Sequence, residues 1–452
     1  MVQYDIAWQN GRIVMKIILK YLKYKKAKMT NRLLFIINTL FLLFLVACQD
    51  PLYTGNSDKN LVADAGANQT TIVGSYAVFD PTNSTGDYNW YDWQQDESNP
   101  DHVKLFSGEK IKEEGNIQIV GFVKEGIYRF RLIVRSGVTP GNMSGTDFSE
   151  ADEITITVNP NPFGRFEDPN LEITVRVALR IQVEELTEST LSTLDSLHSI
   201  LTPQRISFLN GLDYCKNLYF LEMGLQDISD ISPLASLTKL KRLGLDQNGK
   251  ICDISPLAEL TELEWLNLSD NMIMDISTLQ NLSKLKYLNL RYNQNITEIS
   301  SLNNLRELEE LKMANASLTD LFPIVDLTKL KVLWFTNCGI SDIGCLWKLS
   351  NVINLKISWS NVEDISSLSN MKKLEWVALE KNNISNISPL KDLPNLKYIR
   401  LWDNQITDIK SLVDNPGIDK GDIVGLDGNP LNDKSINEYI PALQARGVVV
   451  TW

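Results

Sequence analysis

The sequence predicts a β-rich, multidomain chain: a two-sheet β-sandwich over residues 61–158, then a right-handed solenoid of about ten 22-residue repeats with a helical N-terminal cap. Three observations carry this reading. A chain of 452 residues that is 43% hydrophobic and 22% charged is ordinary folded material, but too long for one core. Its first third breaks into short segments of period-two alternation, the mark of half-buried strands. Its second half repeats itself at a nearly fixed interval, the mark of a stacked array.

Residues 1–47 precede the folded part. Lys16, Lys20, Lys23, Lys25, Lys26, Lys28 and Arg32 lead into an apolar run from Leu33 to Ala47. Those fifteen residues would reach only about 22 Å as a helix, short of a bilayer core near 30 Å. The segment therefore reads as a secretory signal peptide rather than a span. A start at Met29 gives the more usual signal length. The closing Leu45-Val46-Ala47-Cys48 resembles the lipobox of bacterial lipoproteins, which implies cleavage before Cys48 and lipidation of that residue. Two or more acyl chains anchor stably. The expectation is a lipid-anchored protein of the bacterial cell envelope on the outer surface, and Asp50 is consistent with surface export. Residues 48–60 form a polar tether.

Residues 1–47 hold 8 basic residues and 1 acidic one, so their removal moves the net charge from −12 to −19. Nucleic acid is excluded as a partner, since phosphate binding relies on basic patches. Cys215, Cys252, Cys338 and Cys345 show no CxxC pairing, and so few in a long exported chain imply no disulfide framework.

Within 61–158 the strand segments are TTIVGSYAVFD, YNWYDW, IQIVGFV, GIYRFRLIVRSG and DEITITVNP, separated by Gly, Asn, Asp and Pro clusters. They predict an antiparallel sandwich. Ala63-Asp64-Ala65-Gly66, Trp90, Gly126-Ile127-Tyr128-Arg129-Phe130 and the closing ITITV run resemble a PKD-type immunoglobulin-like domain. The stretch YDWQQDESNPDHVK departs from that family's short turn. The resemblance implies an extracellular spacer, with Trp90 packed in the sandwich core and His102 on the surface.

Residues 159–205 supply a linker and the cap. Leu171, Val175, Leu179 and Ile181 have helical spacing, and a second Leu-rich segment starts at Leu186. In 206–431, the first position of LxxLxLxxNxIxDIxxL falls at 218, 240, 263, 285, 308, 330, 352, 374 and 396, every 22 or 23 residues. This is the leucine-rich repeat pattern, and the 22-residue form with DISPL resembles the internalin type of bacterial surfaces. Physically, one unit cannot bury its apolar strand face alone, whereas stacked neighbours can. The helical segment before it resembles the cap of internalin-like proteins. Residues 432–452, with a helix expected from Ser435 to Arg446, close the other end.

The ninth repeat position reads Gln226, Asn248, Asn271, Asn293, Ala316, Cys338, Ser360, Asn382, Asn404 and Asn429. Asn there satisfies backbone groups of adjacent turns. Its lapse at Ala316, Cys338 and Ser360 predicts looser or differently curved middle repeats. Asp230, Asp253, Asp275, Asp320, Asp342, Asp364 and Asp408 stand where a short helical turn begins, which suits capping of free N–H groups better than metal binding.

Strand alternation leaves the remaining positions on the concave face. Phe220, Trp265, Tyr287, Trp376 and Tyr398 stand at the third position, and Trp334, Lys356 and Arg400 at the fifth. Arg291, Tyr292, Trp359 and Trp402 follow the strands. Five of the ten tryptophans thus occupy places that the solenoid core does not need. Clustered aromatics beside Arg compose binding hot spots, although aromatics also pack on each other across neighbouring strands. The expected function is that of a cell-surface binding or adhesion protein that grips a partner protein on this face. The alternative is a glycan-binding lipoprotein whose aromatics stack on sugar rings. Catalysis is disfavoured: the two histidines, His102 and His198, lie outside the array, and no phosphate loop, GxSxG elbow or HExxH run occurs. No cofactor or metal is expected, and the chain reads as a monomer.

Overall fold

The structure is a computed structural model that describes residues 57–85, 88, 90–103, 105, 108–109, 118–136, 147–199 and 204–452. Residues 1–47, expected to be a signal peptide, and Cys48 and Asp50 lie outside the described residues.

Among its described residues the first folded part has nine strands: β1 (Ser57–Val62), β2 (Gln69–Ile72), β3 (Ser75–Phe79), β4 (Trp90–Gln95), β5 (Gly108–Glu109), β6 (Gln118–Phe122), β7 (Gly126–Ser136), β8 (Asp147–Glu150) and β9 (Asp152–Asn159). One sheet runs β1-β8-β7-β4-β5, with β9 also on β7 and β2 beside β9, while β3 and β6 form a second sheet. Phe79 of β3 meets Trp93 of β4 and Phe130 of β7 at ring distances of 4.9 and 4.8 Å, and Phe122 of β6 meets Tyr128 of β7 at 4.8 Å. Aromatic pairs at such spacings add to the burial of their area.

Four expectations need correction here. Strand β1 starts at Ser57, inside the expected tether, and β9 ends at Asn159. The strands are not all antiparallel, because β1 runs parallel to β8 and β2 parallel to β9. Trp90 is only half-buried; Tyr91 and Trp93 supply the core face of β4. Residues three apart on a strand point to opposite faces, so seating Trp93 inside turns Trp90 outward.

Helix α1 (Pro169–Leu179) joins this part to the array. Asp168 caps it by accepting from the Asn170 N–H, and its second carboxylate oxygen accepts from the N–H groups of Ser207 and Phe208, where the array begins. Leu171 and Val175 enter the array core. Ile173 lies so close to β6 that a Cβ at Gly121 would sit 2.7 Å from it. Helix α2 (Glu188–Leu191) follows.

The array forms one parallel sheet of twelve strands: β10 (Ser196–His198), β11 (Phe220–Glu222), β12 (Arg242–Gly244), β13 (Trp265–Asn267), β14 (Tyr287–Asn289), β15 (Glu310–Ala314), β16 (Val332–Thr336), β17 (Asn354–Ser358), β18 (Trp376–Ala378), β19 (Tyr398–Arg400), β20 (Ile423–Gly425) and β21 (Val449–Thr451). The flanking segments therefore add a strand at each end, so the sheet exceeds the ten strands of the repeats. At about 4.8 Å per strand it is roughly 50 Å long. The repeat leucines share a core that runs without a break from Phe166 to Val450. Each fully buried Leu contributes roughly 1.5–3 kcal/mol. Helix α3 (Lys410–Asp414) and helix α4 (Ile440–Ala445), the latter preceded by a wide turn at Ser435–Tyr439, close the C-terminal end.

The Asn ladder forms as the pattern requires. Asn404 accepts from the Ile384 N–H at 3.0 Å and donates to the Leu379 and Leu401 carbonyls at 2.9 and 3.0 Å. Where Asn gives way to Ala316, Cys338 and Ser360 the repeats are not looser: β15, β16 and β17 lengthen to five residues, pairing Met313 with Phe335 and Phe335 with Ile357. The repeat Asp residues each accept from the backbone N–H two residues on, as Asp230 does from Ser232 and Asp364 from Ser366, both at 2.8 Å.

Candidate binding face

The strand register sets the third-position side chains in one row. Phe220, Arg242, Trp265, Tyr287, Glu310, Val332, Asn354, Trp376 and Tyr398 are successive partners across β11 to β19. A parallel sheet in constant register brings each side chain against those of nearby repeats. What forms on this face is a chain of aromatic and cationic contacts.

The chain begins at His198, 4.4 Å from the Phe220 ring. Arg242 reaches toward Phe220 and lies over Trp265 at 3.7 Å, held by the Glu222 carboxylate at 2.9 Å. A Cβ at Gly244 would overlap that carboxylate, so a larger residue there would displace the Glu222 side chain. Trp265 stacks on Tyr287 at 4.7 Å, with the rings 9° apart. Lys312 bridges Tyr287 and Trp334, 4.8 Å from each ring, while pairing with Glu310 at 2.8 Å. Trp334 donates its Nε1–H to Asn354 Oδ1 at 2.8 Å and meets Trp376 at 6.1 Å, and Arg400 lies 5.7 Å from the Trp376 ring. Cation–π contacts at partly exposed sites contribute about 0.5–1 kcal/mol each.

Beside this row, each repeat turns through one residue in the left-handed region. Leu225, Gln247, Asp270, Tyr292, Asn315, Asn337, Trp359, Lys381 and Asp403 all have φ between 54° and 62°, and Gly428 completes the column at 74°. Asn, Asp and Gly adopt this conformation at low cost, whereas Trp and Tyr do not. Trp359 is 51% exposed there, with the Lys381 ammonium 4.1 Å above its ring, and Lys381 also faces Trp402 at 5.7 Å and Asp403 at 3.3 Å. Tyr292 is exposed beside Arg291. Burial holds the Asp270 carboxyl above its ordinary range, the nearby Arg291 opposes this, and Asp246 adds to it.

Of the residues expected on this face, Phe220, Trp265, Tyr287, Trp334, Trp376 and Arg400 join one continuous ribbon. Lys356 stands apart, 3.6 Å from Glu380. Tyr398 is exposed next to Trp376 in register. Trp359 and Trp402 form a separate group around Lys381, and Arg291 pairs with Tyr292. The ribbon shows that aromatic packing along the sheet accounts for much of the row. Sequence reasoning did not assign Arg242, Lys312 and Lys381 their bridging role. A signal exists: Lys312 is 25 residues after Tyr287 and 22 before Trp334, one repeat from each.

A family profile described as leucine-rich repeats in two copies matches residues 261–304 and 372–414. Among solved structures the chain is similar to an internalin from Listeria monocytogenes, at 29% identity over 64% of this chain and 92% of that one, with a TM-score of 0.54. A second internalin of that species has 28% identity over 51% of this chain and 92% of its own, with a TM-score of 0.41. No curated protein matches the chain. The chain thus carries leucine-rich repeats, and its parallel sheet in 22-residue register is similar to that of the first internalin structure.

Proposed function

We propose that this chain is a non-enzymatic, lipid-anchored binding protein of a bacterial cell surface whose concave face grips a partner protein. The observation that carries the reading is the ribbon from Phe220 to Arg400, with Trp359, Tyr398 and Tyr292 still exposed beside it. Aromatic side chains held by neighbours lose little entropy on docking, and Trp, Tyr and Arg dominate interface energetics. In this proposal Cys48 carries the lipid, residues 57–159 act as a PKD-type spacer, and α1 with its flanking segment caps the array.

The test uses the chain without residues 1–48 as bait for proteins exposed on host or neighbouring cells, with a glycan array run in parallel. Binding to a purified protein partner should fall by a factor of about 100 in Trp376→Ala plus Trp402→Ala, given that each truncated hot spot costs on the order of 1–2 kcal/mol. A double variant that binds as well as the parent would remove the concave face from the function. Binding to the glycan array alone would favour the glycan reading. The anchor is checked separately: palmitate labelling of the full chain in a lipoprotein-processing bacterium should disappear in Cys48→Ser, and labelling that persists would rule out this anchor.

A further inference from the structure

The lengthened strands β15, β16 and β17 create a feature that the other repeats lack. Ala314, Thr336 and Ser358 are register partners at the strand ends, and Glu380 continues the row beyond β18, its carbonyl accepting from the Trp359 N–H at 3.0 Å. Ser358 is fully buried and Glu380 is 2% exposed, although strand alternation puts both on the concave side rather than in the leucine core. Two of their atoms, Ser358 Oγ and Glu380 Oε2, have no hydrogen-bond partner among the described residues. Glu380 Oε1 faces the Lys356 ammonium at 3.6 Å, too far for a hydrogen bond. A buried carboxylate oxygen without a donor is costly, and a donor brought from outside removes that cost.

We propose that Glu380, Ser358 and Trp359 form a pocket for an arginine side chain of the partner protein, a proposal that rests on the concave-face reading above. Glu380 Oε2 only accepts, so the ligand must donate. Glu380 and Asp403 disfavour an acidic group. Trp359 follows Ser358 in the chain, its N–H donates to the Glu380 carbonyl, and its exposed ring carries the Lys381 ammonium at 4.1 Å. A guanidinium stacks flat on an aromatic face while its N–H fork reaches a carboxylate, which a lysine ammonium does not do. Lys356 keeps the other carboxylate oxygen, so the bound state is a cation–carboxylate–cation triad. In this proposal the arginine displaces the Lys381 ammonium from the Trp359 ring, a side-chain motion of picoseconds to nanoseconds.

The experiment titrates the chain without residues 1–48 with N-acetyl-argininamide and follows indole N–H signals by NMR, the Trp359 signal being identified by its loss in Trp359→Asn. A saturable shift of that signal at a Kd on the order of 1 mM is expected, weakened roughly tenfold or more in Glu380→Gln. N-acetyl-glutaminamide should give no saturable shift, and N-acetyl-lysinamide a weaker one. No saturable response to the arginine amide, equal affinity in Glu380→Gln, or an equal response to the glutamine amide would overturn the assignment. A concave face that binds its protein partner while Trp359 ignores arginine removes this pocket alone. A Trp359 signal that responds to arginine in a chain that finds no protein partner supports the pocket and counts only against the wider reading.

Discussion

Trp359 concentrates the conflict between folding and exposure at a single residue. Its φ is 55° and its ring is 51% exposed, so the side chain gains little from the solenoid core while the backbone is held where L-residues with bulky side chains are strained. The left-handed conformation costs such a residue roughly 1–2 kcal/mol, and Asn much less. The contact with Lys381 returns only about 0.5–1 kcal/mol. Equivalent turns hold Asp270, Asn315, Asn337, Asp403 and Gly428, all suited to the conformation. Trp359→Asn should therefore stabilise the fold by up to about 1 kcal/mol, and Tyr292→Asn should act in the same direction. Urea unfolding measures this directly. A drop in stability would identify Trp359 as a packing residue; a rise shows that the fold carries it at a cost, as residues kept for recognition often are.

At the scale of the repeat, the sequence is legible where one residue type answers one backbone need. The leucines, the ladder Asn residues and the capping Asp residues could all be placed from spacing alone, because each contact lies within a repeat or at a fixed offset into the neighbouring one. The exceptions have physical causes. Trp90 and Trp93 are three residues apart, so alternation puts them on opposite faces without saying which face is inside. Strands β10 and β21 are three residues long, below the length at which alternation becomes a signal, and pairing with the array's ends defines them. At Ala316, Cys338 and Ser360, loss of the ladder side chain looks like a loss of order. The backbone there pairs two residues further instead, bringing Phe335 into register with Met313 and Ile357. The candidate face was legible as a set of positions, but its cation bridges leave only the one-repeat spacing of Lys312 from Tyr287 and Trp334, which does not say that its ammonium reaches both rings. Glu380 was not legible either, since its unpaired oxygen depends on burial that no local pattern reports.

For the whole molecule, α1 decides whether the sandwich and the array behave as one body. One side of the helix feeds Leu171 and Val175 into the array core, while Ile173 presses on β6 at Gly121. Between them Arg176 is fully buried: it pairs with Glu172 at 2.7 Å and donates to the carbonyls of Gln182 and Glu184 at 3.2 and 2.8 Å. The Gln182 carbonyl also accepts from Ser75 of β3, and Asn161 donates to Glu172, so the network ties strand, linker and helix together. Burial pushes the Glu172 carboxyl up while Arg176 and Asn161 draw it down. Arg176→Ala would leave that buried carboxylate without its cation and the Glu184 carbonyl without its donor, and breaking a buried pair in this way costs about 3–5 kcal/mol. The loss should appear at both ends of the joint, as faster amide exchange in β3 and β6 of the sandwich and in β10 of the array. Arg176→Met, which keeps volume but not charge, should loosen the same strands, because Glu172 remains buried without its cation. Faster exchange on one side only would mean that α1 belongs to one part and merely touches the other; faster exchange on both sides establishes the helix as the element that sets how the array is presented.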